Sequence, residues 1–235
     1  MKTLIFTIAT NGYAEFLAEH IESQREYATK HGYEHIALIK TPPWGVSAAN
    51  SSWLKIPMML HYLRHGYDRV LSIDADARIM PNAPVLDAME TPGKSIYMAK
   101  ESSGRFNAGV IMCLATPDAE SYLRGIYRLA DWPGAWLPAE DRNLYENGHV
   151  IYVARRFMHC IQTIDPRWNY TAFTELADPT DYFVLHGRDS WEKKPRSQAP
   201  VKSRWATYWS RLAQGPRTLL LWRLCRWYVQ EYPSA

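Results

Sequence analysis

The chain has 235 residues, 47% of them hydrophobic and 22% charged, which is the composition of a soluble globular protein with a sizeable core. Its net charge of +3 is too small to indicate a nucleic-acid partner, and it is uneven, because residues 201–235 hold six basic residues and one acidic residue. Three widely spaced cysteines, no apolar run long enough to span a bilayer and no signal peptide predict a cytoplasmic protein without disulfides.

The first half of the chain predicts two strand–helix units followed by a third strand. They are a strand at residues 4–8, a helix at 13–31 that Gly32 ends, a strand at 34–39, a loop at 41–52, a helix at 53–65 and a strand at 69–73. This alternation favours an α/β fold with a mainly parallel sheet covered by helices. In such sheets, ligands bind beyond the carboxyl ends of the strands.

Two aspartates follow the third strand. Asp74 and Asp76 are separated by Ala75, and residues two apart in an extended chain point to the same side. Two converging carboxylates form a hard oxygen site, which suits a divalent cation that in turn holds a diphosphate. The alternative is a pair of solvated turn aspartates, one of which caps a helix. The polar turn at residues 9–11 also follows a strand, and this favours a site.

The second half predicts further strands and a helical tail. Strands are expected at residues 95–99, 110–114, 150–154 and 182–185, a helix opens at Thr116 and Pro117, and residues 203–231 form one or two helices broken near Gly215 and Pro216. We therefore expect a domain of residues 1–200 and a basic, aromatic-rich helical tail of residues 201–235.

Several short segments occur in a characteristic order. They are Ser-Trp-Leu-Lys at residues 52–55, Asp-Ala-Asp at 74–76, Phe-Asn-Ala-Gly-Val at 106–110, Trp-Asn at 168–169, His-Gly at 186–187 and Lys-Pro at 194–195. In this order, residues 1–196 resemble glycosyltransferases of the GT-A fold, nearest to families 8 and 34. The resemblance implies a Rossmann-like, mixed, mainly parallel sheet. It also implies metal-dependent transfer of a hexose from a nucleoside diphosphate sugar, with UDP-sugar favoured, to a saccharide or lipid-linked saccharide, with retention of configuration.

The resemblance implies a manganese or magnesium ion held by Asp74, Asp76 and His186. A nitrogen ligand is more compatible with manganese than with magnesium. The alternative for His186 is a structural histidine hydrogen-bonded to the backbone. The pattern of family 8 also differs here, because glycine directly follows His186 and Arg196 stands where tryptophan is expected.

The resemblance also implies a donor-binding set, which consists of Ala9, Thr10, Asn11, Tyr13, Lys55, Asp74, Ala75, Asn107, Gly187 and Lys194. Lys55 and Lys194 would hold phosphate oxygens, and Tyr13 would stack on the base. Asn107 would bind a sugar hydroxyl, while Gly109 would permit close backbone approach. The alternatives are a solvated loop for Lys194 and a first apolar helix contact for Tyr13.

Glu140 and Asp141 stand where these families often have Asp-Gln near the anomeric carbon. One of the two carboxylates would stabilise an oxocarbenium-like transition state, bind the acceptor or act as a base. They are the catalytic candidates of this chain.

The tail interleaves arginines with tryptophans and tyrosines over residues 201–232. A basic, aromatic-rich amphipathic helix suits an anionic membrane surface, which predicts a peripheral position on the inner face of the membrane. The tail resembles the basic C-termini of bacterial galactosyltransferases that extend lipid-linked saccharides. The alternative is a helix that packs its aromatic side chains on the body.

Two other functions fit parts of the pattern. A phosphatase of the haloacid dehalogenase type also has Asp-Xaa-Asp after an apolar strand, but near its N-terminus, and with Thr or Val where this chain has Arg78. The second is a catalytically degenerate scaffold that binds a nucleotide sugar or a membrane. It would bind nucleotide with metal and leave the donor intact.

Overall fold

A six-stranded sheet lies at the centre of the computed structural model, which describes residues 1–142, 145–187 and 216–233. A separate two-stranded sheet pairs β4 with β8. In chain order, the described strands are β1 (Thr3–Ile8), β2 (Glu34–Leu38), β3 (Arg69–Ile73), β4 (Ala77–Ile79), β5 (Ile96–Lys100), β6 (Phe106–Leu114), β7 (Ile161–Ile164) and β8 (Val184–His186).

Helices cover both faces of the large sheet. They are α1 (Tyr13–Phe16), α2 (Ala18–His31), α3 (Ala48–Arg64), α4 (Pro117–Arg128), α5 (Asn147–Ala154) and α6 (Arg217–Glu231). Short 3-10 turns lie at Leu86–Met89, Gly134–Trp136, Ala139–Asp141 and Pro166–Asn169.

The strand order of the large sheet is β2-β1-β3-β6-β5-β7. β1 is parallel to β2 and β3, and β7 is parallel to β5, whereas β6 is antiparallel to β3 and β5. The predicted α/β fold with a mixed, mainly parallel sheet is therefore confirmed. Because β1 and β3 are parallel neighbours, their carboxyl ends share one edge of the sheet, and the antiparallel β6 begins there. This edge, where Ile8, Ile73 and Phe106 lie, is the site edge.

The apolar run of β1 is buried on both faces of the sheet. Leu4 and Phe6 point into a cluster with α3, α4, α5 and α6, and Ile5 points into a cluster with α2 and β4. Alternate residues of a strand face opposite sides, so a strand between two helical layers is apolar throughout. The double covering holds β1 and β3 rigidly and places the residues that follow them at the site edge.

Several element boundaries differ from the sequence prediction. The loop predicted at residues 41–52 is shorter in the structure, since α3 already begins at Ala48, where the Ser47 side chain accepts a hydrogen bond from the Asn50 amide. The predicted helix at residues 13–31 is interrupted at Leu17, which has φ −107° and ψ 25°. It ends at Gly32 as predicted, with a left-handed φ of 68°.

The strand predicted at residues 150–154 is wrong, because these residues lie in α5. Val150, Val153 and Ala154 are buried in the core. A short helix buried on several sides has the same continuous apolar run as a buried strand, so hydropathy alone does not separate the two. The strand in this region is β7 at Ile161–Ile164, which the sequence did not predict.

The described part of the tail packs on the body. α6 lies against α3 and buries Leu221, Leu224 and Tyr228 in the large core cluster. The break predicted near Gly215 and Pro216 agrees with the start of α6, while the remainder of the predicted tail helix lies outside the described residues. None of the helices in the described ranges is long and apolar enough to cross a membrane.

Candidate active site

The Asp74–Asp76 turn is braced from two sides at the site edge. The backbone amide of Asp74 donates to the carbonyl of Gly109 in β6 at 2.8 Å. From α2, the fully buried Gln24 donates its side-chain amide to the carbonyls of Asp74 at 3.1 Å and Ala77 at 2.8 Å. The sequence did not identify Gln24, because it lies among the core-facing residues of a long helix. The turn therefore has a fixed backbone.

His186 is brought to the aspartates by the small sheet. β8 is antiparallel to β4, and His186 pairs with Ala77 directly after the turn. The Nε2 atom of His186 lies 3.6 Å from Oδ2 of Asp74 and 3.4 Å from Oδ1 of Asp76. The possible ligand atoms of the three residues all lie within 4.8 Å of one another. The structure thus brings together the three residues that the sequence assigned to a metal.

The ring of His186 lies directly on the backbone of β6. A Cβ atom built on Gly109 would lie 2.1 Å from Cε1 of His186, which is far inside van der Waals contact. Gly109 therefore permits a close approach, as its position in the Phe-Asn-Ala-Gly-Val segment predicts, and the group that approaches is the His186 ring.

The donor set fits a divalent cation. Two carboxylates and one imidazole nitrogen suit Mn²⁺, and the carboxylates suit Mg²⁺ equally. The Nδ1 atom of His186 lies 2.8 Å from Oδ1 of Asn169, an oxygen that only accepts, so Nδ1 donates and Nε2 faces the carboxylates.

Burial and charge oppose each other in this group. Burial raises the pKa of Asp74, and the neighbouring Lys55 and His186 offset this only in part. Burial also opposes ionisation of Asp76, but the hydrogen bond and charge of His186 outweigh it and lower the pKa of Asp76. Burial disfavours the imidazolium of His186, yet the two aspartates outweigh it and raise its pKa. The group thus attracts positive charge between the aspartates.

Lys55 lies beneath the aspartate turn, where its side chain is only 3% exposed. Its Nζ atom donates to Oδ1 of Asp74 at 2.6 Å and to the Ala108 carbonyl at 3.0 Å, and it forms an ion pair with Oε1 of Glu146 at 3.0 Å. Burial disfavours the ammonium, but the carboxylates of Asp74 and Glu146 outweigh it and raise the pKa of Lys55. Three acceptors match the three N–H groups of an ammonium, so Lys55 holds Asp74 in this structure, and its contact with a donor phosphate stays a prediction.

Glu146 is a buried member of the site that sequence reasoning missed. It directly precedes α5, and its side chain is 6% exposed. Nothing in the spacing of the chain links it to Lys55, since a single glutamate at the start of an apolar run resembles an ordinary helix-terminal residue. Only the tertiary contact identifies it.

The predicted nucleoside-binding residues lie next to the aspartate turn. Ala9 and Ala75 belong to one small apolar cluster with Leu17 and Ile21, so the two loops are in contact through α1 and α2. Thr10 shares a hydrogen bond with Ser51 at 2.9 Å.

Asn11 and Tyr13 form the outer part of the same loop. Asn11 has a left-handed φ of 60°, and its side-chain amide donates to the carbonyl of Val46 at 3.0 Å. Tyr13 is 40% exposed, which leaves its ring accessible at the start of α1.

Two other predicted donor residues flank His186. Asn107, at the start of β6, donates to Oε1 of Glu101 at 2.7 Å and accepts from the side-chain amide of Asn169 at 3.0 Å. Gly187 has a left-handed φ of 74°, and its amide donates to the carbonyl of Asp76 at 3.0 Å. Lys194 lies outside the described residues.

The two catalytic candidates contact Arg155, which directly follows α5. Oδ1 of the buried Asp141 lies 2.6 Å from Nη2 of Arg155, and Oε1 of the exposed Glu140 lies 3.2 Å from the same atom. These contacts join the pair to the carboxyl end of α5, whereas Glu146 precedes the amino end. The catalytic role of Glu140 and Asp141 stays a prediction.

A second group of possible ligands lies at the opposite edge of the sheet. It consists of Asp118, His159 and Cys160, whose ligand atoms lie within 4.8 Å of one another. The Cys160 carbonyl accepts a hydrogen bond from the amide of Ser95, which directly precedes β5. Because β5 and β6 are antiparallel, the start of β5 lies beside the carboxyl end of β6, and the group therefore lies there too. Asp118 and His159 are both more than half exposed. The sequence did not indicate this group because its members come from distant segments.

The fold is shared with solved glycosyltransferases. A glycosyltransferase involved in glycosylation of the major capsid of the virus PBCV-1 is 17% identical with a TM-score of 0.62, over 82% of this chain and 97% of that chain. The glycosyltransferase GlyE of Streptococcus pneumoniae is 14% identical with a TM-score of 0.53, over 100% of this chain and 65% of that chain. Mouse xyloside xylosyltransferase 1 is 13% identical with a TM-score of 0.51, over 80% of this chain and 98% of that chain.

No protein-family model and no curated protein matches this chain. At identities this low, the structural likeness establishes the fold. The chain therefore has the GT-A-like fold that its sequence resemblance predicts.

Proposed function

We propose that this protein is a metal-dependent glycosyltransferase. It would transfer a hexose from a nucleoside diphosphate sugar, with UDP-sugar favoured, to a saccharide or lipid-linked saccharide, with retention of configuration. The convergence of Asp74, Asp76 and His186 at the site edge carries the proposal. The predicted nucleoside loop lies beside this group, as a donor with two phosphates between base and sugar requires.

In this proposal Asp74, Asp76 and the Nε2 atom of His186 hold the metal. A bound Mn²⁺ or Mg²⁺ supplies positive charge that stabilises the departing nucleoside diphosphate. Lys55 engages Oδ1 of Asp74, so Oδ2 is the oxygen that faces His186. Lys55 thus orients the carboxylate and offsets part of its negative charge.

The donor base would stack on Tyr13, whose ring is accessible at the start of α1. Thr10 and Asn11 would contact the nucleoside, and Asn107 and Gly187 would lie near the sugar and the diphosphate. For Glu140 and Asp141 we propose acceptor binding or stabilisation of the transition state. Buried and paired with Arg155, Asp141 keeps a fixed position, whereas Glu140 is exposed and would contact the saccharide.

The function is tested by incubating the full chain with a panel of nucleoside diphosphate sugars and Mn²⁺. In the wild type we expect metal-dependent hydrolysis of one donor, or thermal stabilisation by it. In Asp76→Asn we expect both effects to be lost. His159→Gln is a matched control, because it changes a possible ligand at the opposite edge. Donor binding without turnover in the presence of saccharide acceptors would support the scaffold alternative. Phosphatase activity abolished by Asp74→Asn would refute the transferase; the glycosyltransferase fold argues against that outcome.

We also propose that the outer face of α6 contacts an anionic membrane surface, which would place the protein peripherally on the inner face of the membrane. Leu219 and Trp222 are about half exposed on this helix. The guanidinium of Arg226 lies 4.7 Å from the ring centroid of Trp222, and that of Arg223 lies 5.5 Å from that of Trp44. Exposed apolar side chains beside arginines are the composition of an interfacial helix, and this favours a lipid-linked acceptor.

Vesicle binding tests this surface. The full chain is expected to bind phosphatidylglycerol vesicles and to bind phosphatidylcholine vesicles weakly. The double variant Arg223→Gln with Arg226→Gln should lose most of the preference for phosphatidylglycerol over phosphatidylcholine vesicles, because each basic residue near an anionic surface contributes about 1 kcal/mol. Equal binding of both proteins to the anionic vesicles would refute the membrane contact.

A further inference from the structure

We propose that Asn169 is a positioning residue that fixes the ring of His186 for metal binding, and that Asn107 and Glu101 in turn fix Asn169. This inference rests on the proposed function, because it concerns how one ligand of the proposed metal is held. Asn169 occurs in the Trp-Asn pair of the sequence pattern, where it carries no assigned role.

The first observation is the contact between the two side chains. Nδ1 of His186 and Oδ1 of Asn169 lie 2.8 Å apart. A carboxamide oxygen only accepts, so the Nδ1 proton of His186 occupies this bond. The neutral ring then carries its lone pair on Nε2, the nitrogen that faces Asp74 and Asp76. A metal ligand whose other ring nitrogen is engaged in this way has a fixed tautomer and a fixed orientation.

The second observation fixes the amide of Asn169 itself. Its Nδ2 atom donates to Oδ1 of Asn107 at 3.0 Å and to the carbonyl of Asn107 at 3.3 Å. Both of these atoms are acceptors, so the nitrogen of Asn169 faces Asn107 and its oxygen faces His186.

The chain of hydrogen bonds continues to a carboxylate. Asn107 donates through Nδ2 to Oε1 of Glu101 at 2.7 Å, and its Oδ1 also accepts from the amide of Gly109 at 2.8 Å. The Glu101 carboxylate can only accept and the Gly109 backbone amide can only donate, so the Asn107 side-chain amide has one possible orientation. Glu101 therefore sets the direction of every bond as far as His186.

The third observation is that Asn169 and His186 are held by the same backbone. Asn169 is 2% exposed and ends a short 3-10 turn that begins after Asp165. The next residue, Tyr170, donates to the carbonyl of Val184 and accepts from the amide of His186, both at 2.9 Å. The pairing between this turn and β8 therefore holds the backbones of Asn169 and His186 next to each other.

The arrangement also joins two parts of the proposed site. Asn107, which the resemblance assigns to the donor sugar, is one hydrogen bond away from Asn169 and two from the ring of His186. A group that binds Asn107 thus acts on the residue that orients the metal ligand.

Calorimetric titration of the full chain with Mn²⁺ tests the inference. Asn169→Leu keeps the volume of the side chain and removes its acceptor and donor, and we expect it to weaken Mn²⁺ binding by about 10- to 100-fold. Asn169→Asp retains the acceptor for His186 but turns its second oxygen toward the two acceptors of Asn107, so its affinity should lie between those of Asn169→Leu and wild type. Recovery by the acceptor alone is a result that a purely structural role does not give.

Thr174→Val is the matched control in the segment that follows this turn. The Thr174 hydroxyl donates to the carbonyl of Asn169 at 3.3 Å, so the variant disturbs the turn and leaves the side-chain contacts of Asn169 in place. Its Mn²⁺ affinity should equal that of wild type. Should Asn169→Leu fail to fold by circular dichroism, Asn169→Ser, whose hydroxyl is too short to reach His186, provides the same measurement.

The outcomes separate this inference from the proposed function. Wild-type affinity in the leucine or serine variant would overturn the role of Asn169 and leave the metal site intact. An equal loss in the leucine and aspartate variants would also overturn it, since the acceptor would then not matter. If the wild-type protein binds no Mn²⁺, either with UDP or without it, the metal dependence of the proposed function is overturned instead.

Discussion

Replacing Gly109 by alanine tests the geometry of the candidate site most directly. The added Cβ would lie 2.1 Å from Cε1, 2.5 Å from Nδ1 and 2.9 Å from Nε2 of His186. Non-bonded carbon atoms are normally about 3.5–4.0 Å apart, so the ring must move by more than about 1 Å. Gly109 does not have a positive φ, and the backbone therefore accepts alanine. The cost is the collision with the ring.

Two measurable effects follow from this collision. The His186 ring is held at Nδ1 by Asn169, so moving it away from Gly109 breaks that bond or withdraws Nε2 from the aspartates. We expect Gly109→Ala to lose about 1–3 kcal/mol of unfolding free energy, as overpacked sites do. We also expect Mn²⁺ affinity to fall at least as far as in Asn169→Leu.

A double variant isolates the cause. His186→Ala removes the ring, so adding Gly109→Ala to it should cost less than about 0.5 kcal/mol in urea unfolding, and the two changes should be strongly non-additive. Gly125→Ala is the control, because its Cβ meets only Cγ1 of Val153, at 3.1 Å. Additive free energies in the double variant, or wild-type Mn²⁺ affinity in Gly109→Ala, would refute the proposed packing of the ring.

Three further predictions concern charge and burial. Lys55→Met leaves the buried carboxylate of Glu146 and the one-third exposed carboxylate of Asp74 without their shared cation, and it should lower the unfolding free energy by about 3 kcal/mol in urea titration; a loss under about 1 kcal/mol would contradict the ion pair between Lys55 and Glu146. Burial lowers the pKa of His35 from 6.5 to about 4, because the charged imidazolium is disfavoured in the fold. The free energy of unfolding should therefore not depend on this residue above pH 6.5 and should fall between pH 6.5 and 4. His35→Phe should reduce that fall by roughly 2–3 kcal/mol in urea unfolding. Glu140→Gln should leave the thermal unfolding transition unchanged, because the side chain is 64% exposed; a lowered melting temperature by circular dichroism would show that its contact with Arg155 supports the fold.

Local patterns predicted the frame of the fold because their causes are local. A buried strand followed by Asp74 and Asp76, and a helix that ends at Gly32, depend on residues within a few positions of each other. The same applies to the Thr116 cap, whose hydroxyl accepts from Ala119 at 3.2 Å. Such signals fail where two structures share one pattern, as at residues 150–154, where a buried apolar run forms a helix.

The contacts within the site were less accessible to sequence reasoning. The ligand candidates Asp74, Asp76 and His186 are implied by a resemblance, and their convergence depends on the pairing of β4 with β8. The ion pairs of Lys55 with Asp74 and Glu146 were not predicted, because both partners come from other segments of the chain. Glu146 itself has no recognisable motif.

By itself, the sequence determined the α/β alternation and the position of the aspartate pair at a strand end, since each depends on chain geometry or short spacing. Only the tertiary structure decided which groups share the site: Lys55 with Asp74 and Glu146, and His186 with Asn169. The reason is physical. Hydropathy determines which side of an element is buried, whereas a buried charge or amide needs a specific partner, and that partner comes from a distant segment of the chain.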